Sequence, residues 1–425
     1  MEYSPSEVMQ YVDENDVKFI KLLFTDIFGA VKSISVQPSI LKRAFHEGIP
    51  FDASAIPGFL SVSKSDLVIT PDSTTLSVLP WRPQRGRVAR LYCGISYPDG
   101  TPFEGDSRHI LKKVLEKCGK MGYSVKVGTE CEFYLFKLDE NGLPTLVPQD
   151  NASYCDLAPL DKGENVRRDI ILNLEQMGIV PETSHHETGP GQNEIDFKYD
   201  DALRAADNVA TFKTTVKTIA AQAGLYASFA PKPIVNNAGN GFHVNLSLHK
   251  AGENLFSKES PEAKSFMAGI LKRSREISAF TNPLARSYER LGQFEAPKYV
   301  SWSRQNRSQL IRVPASDGEL SRIELRSPDT SCNQYLVLAL VIASGLEGME
   351  NKLELPPPVD LDLYNASPEE LSSLEKLPED YRVAFKLAQE SSFVKSVIPQ
   401  STLAAYLNED RVLPKKGIIP YQLGE

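Results

Sequence analysis

The stretch that decides the fold runs from Val125 to Phe136, Val-Lys-Val-Gly-Thr-Glu-Cys-Glu-Phe-Tyr-Leu-Phe. Val125, Val127, Phe133, Tyr134 and Phe136 supply the β propensity, so the run reads as a strand. Side chains on a strand alternate between faces, which puts Glu130 and Glu132 on one face about 7 Å apart and Cys131 on the other, in the core. Two carboxylates held together raise each other's pKa, and a site that keeps both ionised wants a cation beside them. A Glu pair on an exposed sheet face is ordinary, so the strand taken alone favours a solvated outer face.

Three downstream segments repeat the pattern. Asn193 to Tyr199 sets Ile195, Phe197 and Tyr199 against Glu194, Asp196 and Lys198. Phe242 to Leu248 sets four apolar residues against His243, Asn245 and Ser247, and Ser321 to Arg326 sets Ile323 and Leu325 against Arg322, Glu324 and Arg326. Together they predict one sheet with Glu130, Glu132, Glu194, His243, Glu324 and two arginines on a single face. Carboxylates with one imidazole suit Mg²⁺ or Mn²⁺, because hard oxygen ligands select hard cations. Arginines beside them bind phosphate or carboxylate through a planar fork. The combination predicts phosphoryl transfer from a metal-bound nucleotide. No Gly-x-x-x-x-Gly-Lys-Ser/Thr run occurs, so the nucleotide is expected on the sheet.

The chain of 425 residues, 41% hydrophobic and 24% charged, is long enough for two or three domains with a full core. A net charge of -8 argues against a nucleic-acid partner, and the basic cluster Lys272 to Arg275 reads as a solvated helix face. Five scattered cysteines without a Cys-x-x-Cys pair fit a reducing compartment. The acidic start lacks the apolar segment of a secretory signal, and Tyr335 to Leu346, the longest apolar run, is too short to span a bilayer and reads as a buried helix. A cytoplasmic protein without membrane contact is expected.

Ser4 and Pro5 open a helix through Val12, followed by strands at Val17 to Phe24 and Ala30 to Val36 around a turn at Asp26 to Gly29. Further strands fit Leu67 to Thr70 and Val88 to Tyr92. Tyr97 to Gly105, rich in Pro and Gly, is the candidate linker, and a helix from Ser107 to Met121 opens the larger domain. Asp207 to Ala223 is an amphipathic helix ending at Gly224, Ser260 caps another to about Ile277, and Ser367 to Glu370 reads as a capping box. The fold class is α+β, with domains at 1–104 and 105–425.

Eight runs carry a resemblance to the glutamine synthetase family of the bacterial type. They are Phe19 to Gly29, Phe51 to Phe59, Pro98 to Gly105, Glu130 to Phe136, Ser184 to Tyr199, Gly239 to Leu248, Asn306 to Pro314 and Arg322 to Arg326, in family order over nearly the whole chain. The resemblance implies a small β-grasp-like N-terminal domain and a large catalytic domain around a curved antiparallel sheet flanked by helices. It also implies active sites between neighbouring subunits of a double ring of twelve. The implied activity is ATP-dependent ligation of ammonia to the side-chain carboxylate of glutamate through a γ-glutamyl phosphate, with two or more Mg²⁺ or Mn²⁺ ions per site.

Residue by residue, the resemblance gives one metal to Glu132, Glu187 and Glu194 and the other to Glu130, His243 and Glu324. Glu187 is the one ligand the sheet pattern does not find. Asn245, Ser247, Arg312 and Arg322 would lie along ATP, and Arg307 would steady the phosphoryl group and, with Gly239, Arg290 and Arg326, hold glutamate. Glu295 would be the flap residue that closes over the acyl phosphate. Asp52, from a neighbouring subunit, would bind and deprotonate ammonium together with Tyr154, Glu187 and Glu295. Of the adjacent His185 and His186, neighbours on a strand point apart, so at least one is expected to be structural.

The departures from the family cluster at the amino-acid and amine pockets. Ala238 stands where an asparagine normally meets glutamate, and Asn237 could replace it only if the loop shifts. Ala55 removes a hydroxyl expected near ammonium, the flap Arg290 to Glu295 is one residue short, and the tail after Leu407 is short. The competing reading is a γ-glutamyl-amine ligase acting on a polyamine, ethanolamine or methylamine. A catalytically weak regulatory or structural relative would have lost metal ligands, and all six are present.

Overall fold

The computed structural model describes residues 3–82 and 85–408. The first helix, Pro5–Glu14, begins with a reciprocal capping box: Glu7 N donates to Ser4 Oγ (3.3 Å) and Ser4 N donates to Glu7 Oε2 (2.7 Å). Val8 and Val12 face the core. Behind them lies a six-stranded sheet in the order Val31–Val36, Val17–Thr25, Arg87–Ser96, Asp66–Pro71, Ile49–Asp52, with Ser77–Val78 beside Arg87–Ser96. Val17–Thr25 and Arg87–Ser96 pair in parallel, and the other pairs are antiparallel.

Two strands and an α-helix here escape the sequence pattern, the two-residue strand Ser77–Val78, the helix Pro38–His46 and the strand Ile49–Asp52. The strand Ile49–Asp52 has four residues and contains Pro50, which lacks a backbone donor. It survives because it is the edge of the sheet, paired with Asp66–Pro71 alone.

The segment 97–106 is ordered by its own contacts. Tyr97 N donates to Thr101 O (2.8 Å), Phe103 is buried, and Asp106 both accepts from Ile95 N (3.0 Å) and caps the helix Ser107–Lys120. A buried polar knot then joins the two halves. Arg108 donates to Asp207 Oδ2 (2.8 Å) in the helix Ala202–Gln222 and to Asp72 Oδ2 (3.0 Å) in the first half, while Tyr335 Oη donates to Asp207 Oδ1 (2.7 Å).

The second sheet has ten strands. Its path is Trp302–Arg304, Ile311–Val313, Ile323–Leu325, Phe242–Lys250, Tyr123–Leu138, Gln192–Asp201, Pro181–His186, antiparallel throughout except for the first pair. The 16-residue strand Tyr123–Leu138 is its spine and also pairs Pro144–Pro148 and Leu225–Ser228. One face is apolar: Val125, Val127, Cys131, Phe133, Ile195, Phe197, Phe242, Val244, Leu246 and Leu248 join one core with the helix Ala202–Gln222. Tyr199 departs from the predicted alternation. A register shift between Phe197 and Asp200 rotates it out of the core, and it is 37% exposed.

The helix Gln334–Glu350 is buried nearly all round, as its apolar run predicts. It crosses the helix Pro261–Arg273 at small residues. A Cβ on Gly269 would lie 2.1 Å from Ser344 O, and one on Gly348 would lie 2.1 Å from Ser265 O, so only glycine permits this approach. The basic cluster on the Pro261–Arg273 helix is paired, with Arg273 Nη2 2.6 Å from Glu347 Oε1. Among the described residues no helix is long and apolar enough to cross a membrane. The tail beyond Asn408 lies outside the described residues.

Candidate active site

Strand register assembles the site. Glu132 is directly opposite Glu194, which is opposite His185. One step along, Glu130 is opposite Asp196 on one side and His243 on the other. In the next row Asn245 is opposite Glu324, which is opposite Arg312. Directly opposed residues share a sheet face, so these rows place chemistry-bearing side chains on the face turned away from the core.

Two donor clusters result. Ligand atoms of Glu130, His243 and Glu324 all lie within 4.8 Å of one another, and so do those of His185, Glu187 and Glu194. His243 Nδ1 is 3.0 Å from Glu130 Oε2 and 3.6 Å from Glu324 Oε1. Burial opposes ionisation of Glu130, but hydrogen bonds from His243 and Asn245 outweigh it and hold the carboxyl down at about 2. Burial and the charge of Arg326 lower His243, which favours the neutral form that a metal ligand requires.

The second cluster behaves oppositely. Burial, then the charge of Glu187, push Glu132 up to about 8. Burial and Glu295 push Glu187 up to about 7, and burial with Asp196 and Glu132 raises Glu194 well above the usual carboxylate range. Glu132 stands beside the cluster, its Oε2 accepting from Gln192 Nε2 (2.9 Å) and Gly241 N (2.8 Å). Three crowded carboxylates that resist ionisation by themselves, all hard oxygen donors with imidazole nearby, fit a divalent cation of the Mg²⁺ or Mn²⁺ class.

The adjacent histidines divide as neighbours on a strand must. His185 faces the site, 3.3 Å from Glu187 Oε1 and 3.7 Å from Glu194 Oε1, and Tyr154 packs against its ring at 5.3 Å. The signal that could have found it is the pairing of Glu194 with the strand Pro181–His186. His186 is wholly buried, with Nε2 2.9 Å from Asp150 Oδ1 and Nδ1 donating to Glu187 O (2.6 Å). Asp150, Asp161 and His186 also crowd within 4.8 Å, but the protein fills this cluster itself. Asp150 accepts from Gly191 N (3.0 Å) and Lys162 N (2.9 Å), and Arg167 pairs with Asp161. That knot fixes the turn bearing Glu187.

Beside the first cluster opens a cavity of about 310 Å³, lined by Lys126, Gly128, Thr183, Tyr199, Asn245, Ser247 and Arg322 among others. Arg322 Nε donates to Asn245 Oδ1 (2.9 Å). Arg312 is turned the other way, donating to Glu324 Oε2 (2.6 Å). Arg326 is buried and pairs with Glu324, and its Nε donates to Arg307 O (3.1 Å). Arg307 itself is exposed. Arg290 is buried, Nη1 donating to Ser327 O (2.9 Å). Gly239 packs so closely on Arg290 that a Cβ there would lie 2.9 Å from Arg290 Cγ.

The loop before Gly239 is pinned. Ala238 is buried, its carbonyl accepting from Tyr134 Oη (2.7 Å), and Asn237 O accepts from Lys232 Nζ (2.6 Å). Asn240 donates to Ser228 O (3.2 Å) and Ala230 O (2.9 Å). Asn237 therefore has no slack with which to take the place of Ala238. Glu295 is exposed, and Asp52 is exposed in the first half, Oδ1 accepting from Ser54 N (2.9 Å) and Ser54 Oγ (2.6 Å).

Comparison with known proteins agrees with this geometry. The glutamine synthetase β-grasp domain matches residues 16–98, and the glutamine synthetase catalytic domain matches residues 104–412. A glutamine synthetase of Clostridium saccharobutylicum is 46% identical over 414 residues, covering 95% of this chain and 94% of the relative. One from Methanosarcina mazei is 46% identical over 410 residues, covering 94% and 92%. Among solved structures, a GmaS/ADP complex superposes with a TM-score of 0.85 at 29% identity, covering 94% of this chain and 93% of that one. With both domains matched in order, and relatives this similar over nearly their full length, the chain belongs to the glutamine synthetase family of ATP-dependent ligases.

Proposed function

We propose that the protein transfers the γ-phosphoryl group of ATP to the side-chain carboxylate of glutamate and lets ammonia displace the phosphate, giving glutamine. The observation that carries this reading is the single polar sheet face. It holds two cation-ready clusters between a cavity lined by Asn245, Ser247 and Arg322 and a wall of buried arginines, Arg290 and Arg326. A carboxylate is a poor electrophile, and phosphorylation gives it a leaving group.

Two or more divalent cations, Mg²⁺ or Mn²⁺, held by Glu130, His243 and Glu324 and by Glu132, Glu187 and Glu194, supply charge neutralisation when bound. The protein's own groups do the rest. Arg322, with Asn245 and Ser247, orients ATP from the cavity, and Arg312 joins them by leaving its metal-free partner Glu324. Arg290, Arg326 and Gly239 hold glutamate, and Arg307 steadies the phosphoryl group. Ammonium must lose a proton before it can attack, and Asp52 of an adjacent copy, beside Tyr154, Glu187 and Glu295, is the base. The boundary between the domains falls near residue 104, the assembly is a double ring of twelve, and its compartment is the cytoplasm.

Ala55 and the short flap favour a second reading, in which a larger primary amine replaces ammonia. Retention of Asp52, Tyr154, Glu187 and Glu295 favours ammonia. The test is ATP consumption with glutamate and ammonium, methylamine, ethanolamine or putrescine, each amide identified by mass. Turnover with ammonium well above the others is the expected result. Preference for a larger amine would reassign the acceptor, and silence with all four would refute the ligase reading of this chain.

A further inference from the structure

The flap is held in a conformation its residues disfavour. Phe294 and Glu295, neither a glycine, are both left-handed, with φ of 45° and 64°. Two consecutive strained residues persist only where neighbours over-determine them. On the side chains, Lys232 Nζ lies 4.6 Å over the Phe294 ring and Arg326 Nη2 is 3.9 Å from Glu295 Oε2. On the backbone, three hydrogen bonds converge on two carbonyls: Ala296 O accepts from Gly292 N (3.0 Å) and from Tyr364 Oη (3.1 Å), and Glu295 O accepts from Arg326 Nη2 (3.3 Å). Of the three, only Tyr364 comes from an element with no place in the metal, nucleotide or glutamate chemistry.

That element is a strap, residues 356–364, fastened along the far edge of the catalytic sheet. Trp302 Nε1 donates to Pro356 O (2.7 Å), Val359 N donates to Trp302 O (2.8 Å), and Ser303 Oγ donates to Asp360. Its end is clipped to the loop that bears Arg307. Asn306 Nδ2 and Gln309 Nε2 donate to Leu361 O (2.8 and 3.1 Å), and Leu363 N donates to Ser308 Oγ (3.1 Å). Asp362 Oδ1 accepts from Tyr364 N (3.0 Å) and turns the tyrosine toward the flap.

We infer that Tyr364 is a positioning residue, the latch through which the strap holds the Glu295 flap in register with the Arg307 loop. The inference rests on the reading of this face as an acyl-phosphate site. A flap over such an intermediate must keep water out until the amine arrives, so the latch governs how much phosphate is released without amide.

The test uses the full-length assembly with Tyr364→Phe, which removes the hydroxyl alone, and Tyr364→Leu, which also removes the ring. With ATP, Mg²⁺, glutamate and ammonium, wild type should release about one phosphate per amide, and Tyr364→Phe about two or more, with a higher KM for ammonium. Amide hydrogen exchange across residues 292–298 of the unliganded protein should quicken about fivefold to tenfold in Tyr364→Phe, as expected for one lost hydrogen bond.

A Tyr364→Phe variant with wild-type coupling and wild-type exchange would overturn the latch. So would one that matches wild type while Tyr364→Leu is impaired, since the ring rather than the hydroxyl would then matter. If wild type forms no amide with any amine, the proposed function fails, and the exchange comparison still decides whether Tyr364 holds the flap.

Discussion

Glu132 shows how the site stores its demand for a cation. Its carboxylate is held by Gln192 and Gly241 beside Glu187, and burial with that neighbouring charge moves it from an ordinary 4.5 to about 8. A carboxyl whose folded pKa is raised binds its proton more tightly in the native state, so its contribution to stability is lost as pH rises. For Glu132 and Glu187 the window runs from about pH 4.5 to about pH 8. The metal-free protein should therefore lose melting temperature across this range, and Mg²⁺ should restore it most at the alkaline end. Glu132→Gln should lower activity by more than about a hundredfold while leaving metal-free stability unchanged or raised at alkaline pH. Thermal scans with and without Mg²⁺, beside a rate assay, check both statements. Unchanged activity in the variant would remove Glu132 from the site.

Legibility also divides residue by residue. Glu130, Glu194, His243 and Glu324 follow from alternation, because strict period-two strands place them on one face. Glu187 is invisible to that pattern, since it lies beyond the strand Pro181–His186 in a turn shaped by Asp150 and His186. His185 needs the cross-strand partner to be known. Tyr199 fails in the other direction, because an irregularity in one strand is a tertiary property that period-two reasoning does not contain.

At the scale of elements, the middle of the catalytic sheet was readable because Tyr123–Leu138, Gln192–Asp201 and Phe242–Lys250 are long and alternate. Its shorter strands Pro144–Pro148, Pro181–His186, Leu225–Ser228, Trp302–Arg304 and Ile311–Val313, like the edge strand Ile49–Asp52 and the helix Pro38–His46, are too short to stand out of the sequence. The joint between the two halves was equally hidden. Arg108 lies at the start of the helix Ser107–Lys120, Asp207 near the start of Ala202–Gln222, Tyr335 near the start of Gln334–Glu350, and Asp72 after the strand Asp66–Pro71. Four separate parts of the chain thus meet in one knot, Arg108 holding both carboxylates and Tyr335 holding Asp207. Removing the guanidinium leaves the buried Asp207 without its cation, while the half-buried Asp72 keeps Lys112 at 3.4 Å. Arg108→Ala should cost about 3 kcal/mol or more, read as a fall in denaturation midpoint. A loss within experimental error would mean that the knot is a bystander.

For the whole molecule, the decisive residue is Asp52. Among the described residues the hydrogen bonds to its carboxylate come from its own loop, and it is exposed. If it serves an adjacent copy, Asp52→Ala and Glu132→Gln subunits should each be inactive alone and recover activity when refolded together. Random mixing should restore about a quarter of the sites. No recovery above the separate variants would place Asp52 outside the shared site.

The account turns on one chemical event, formation of an acyl phosphate on the polar face of the ten-stranded sheet. It is tested most directly by supplying glutamate labelled with ¹⁸O in its side-chain carboxylate, together with ATP, Mg²⁺ and ammonium, and weighing the phosphate released. Transfer of one labelled oxygen to phosphate for each amide formed is the predicted result. Amide formation with unlabelled phosphate would contradict the account, because the carboxylate would then never have been phosphorylated.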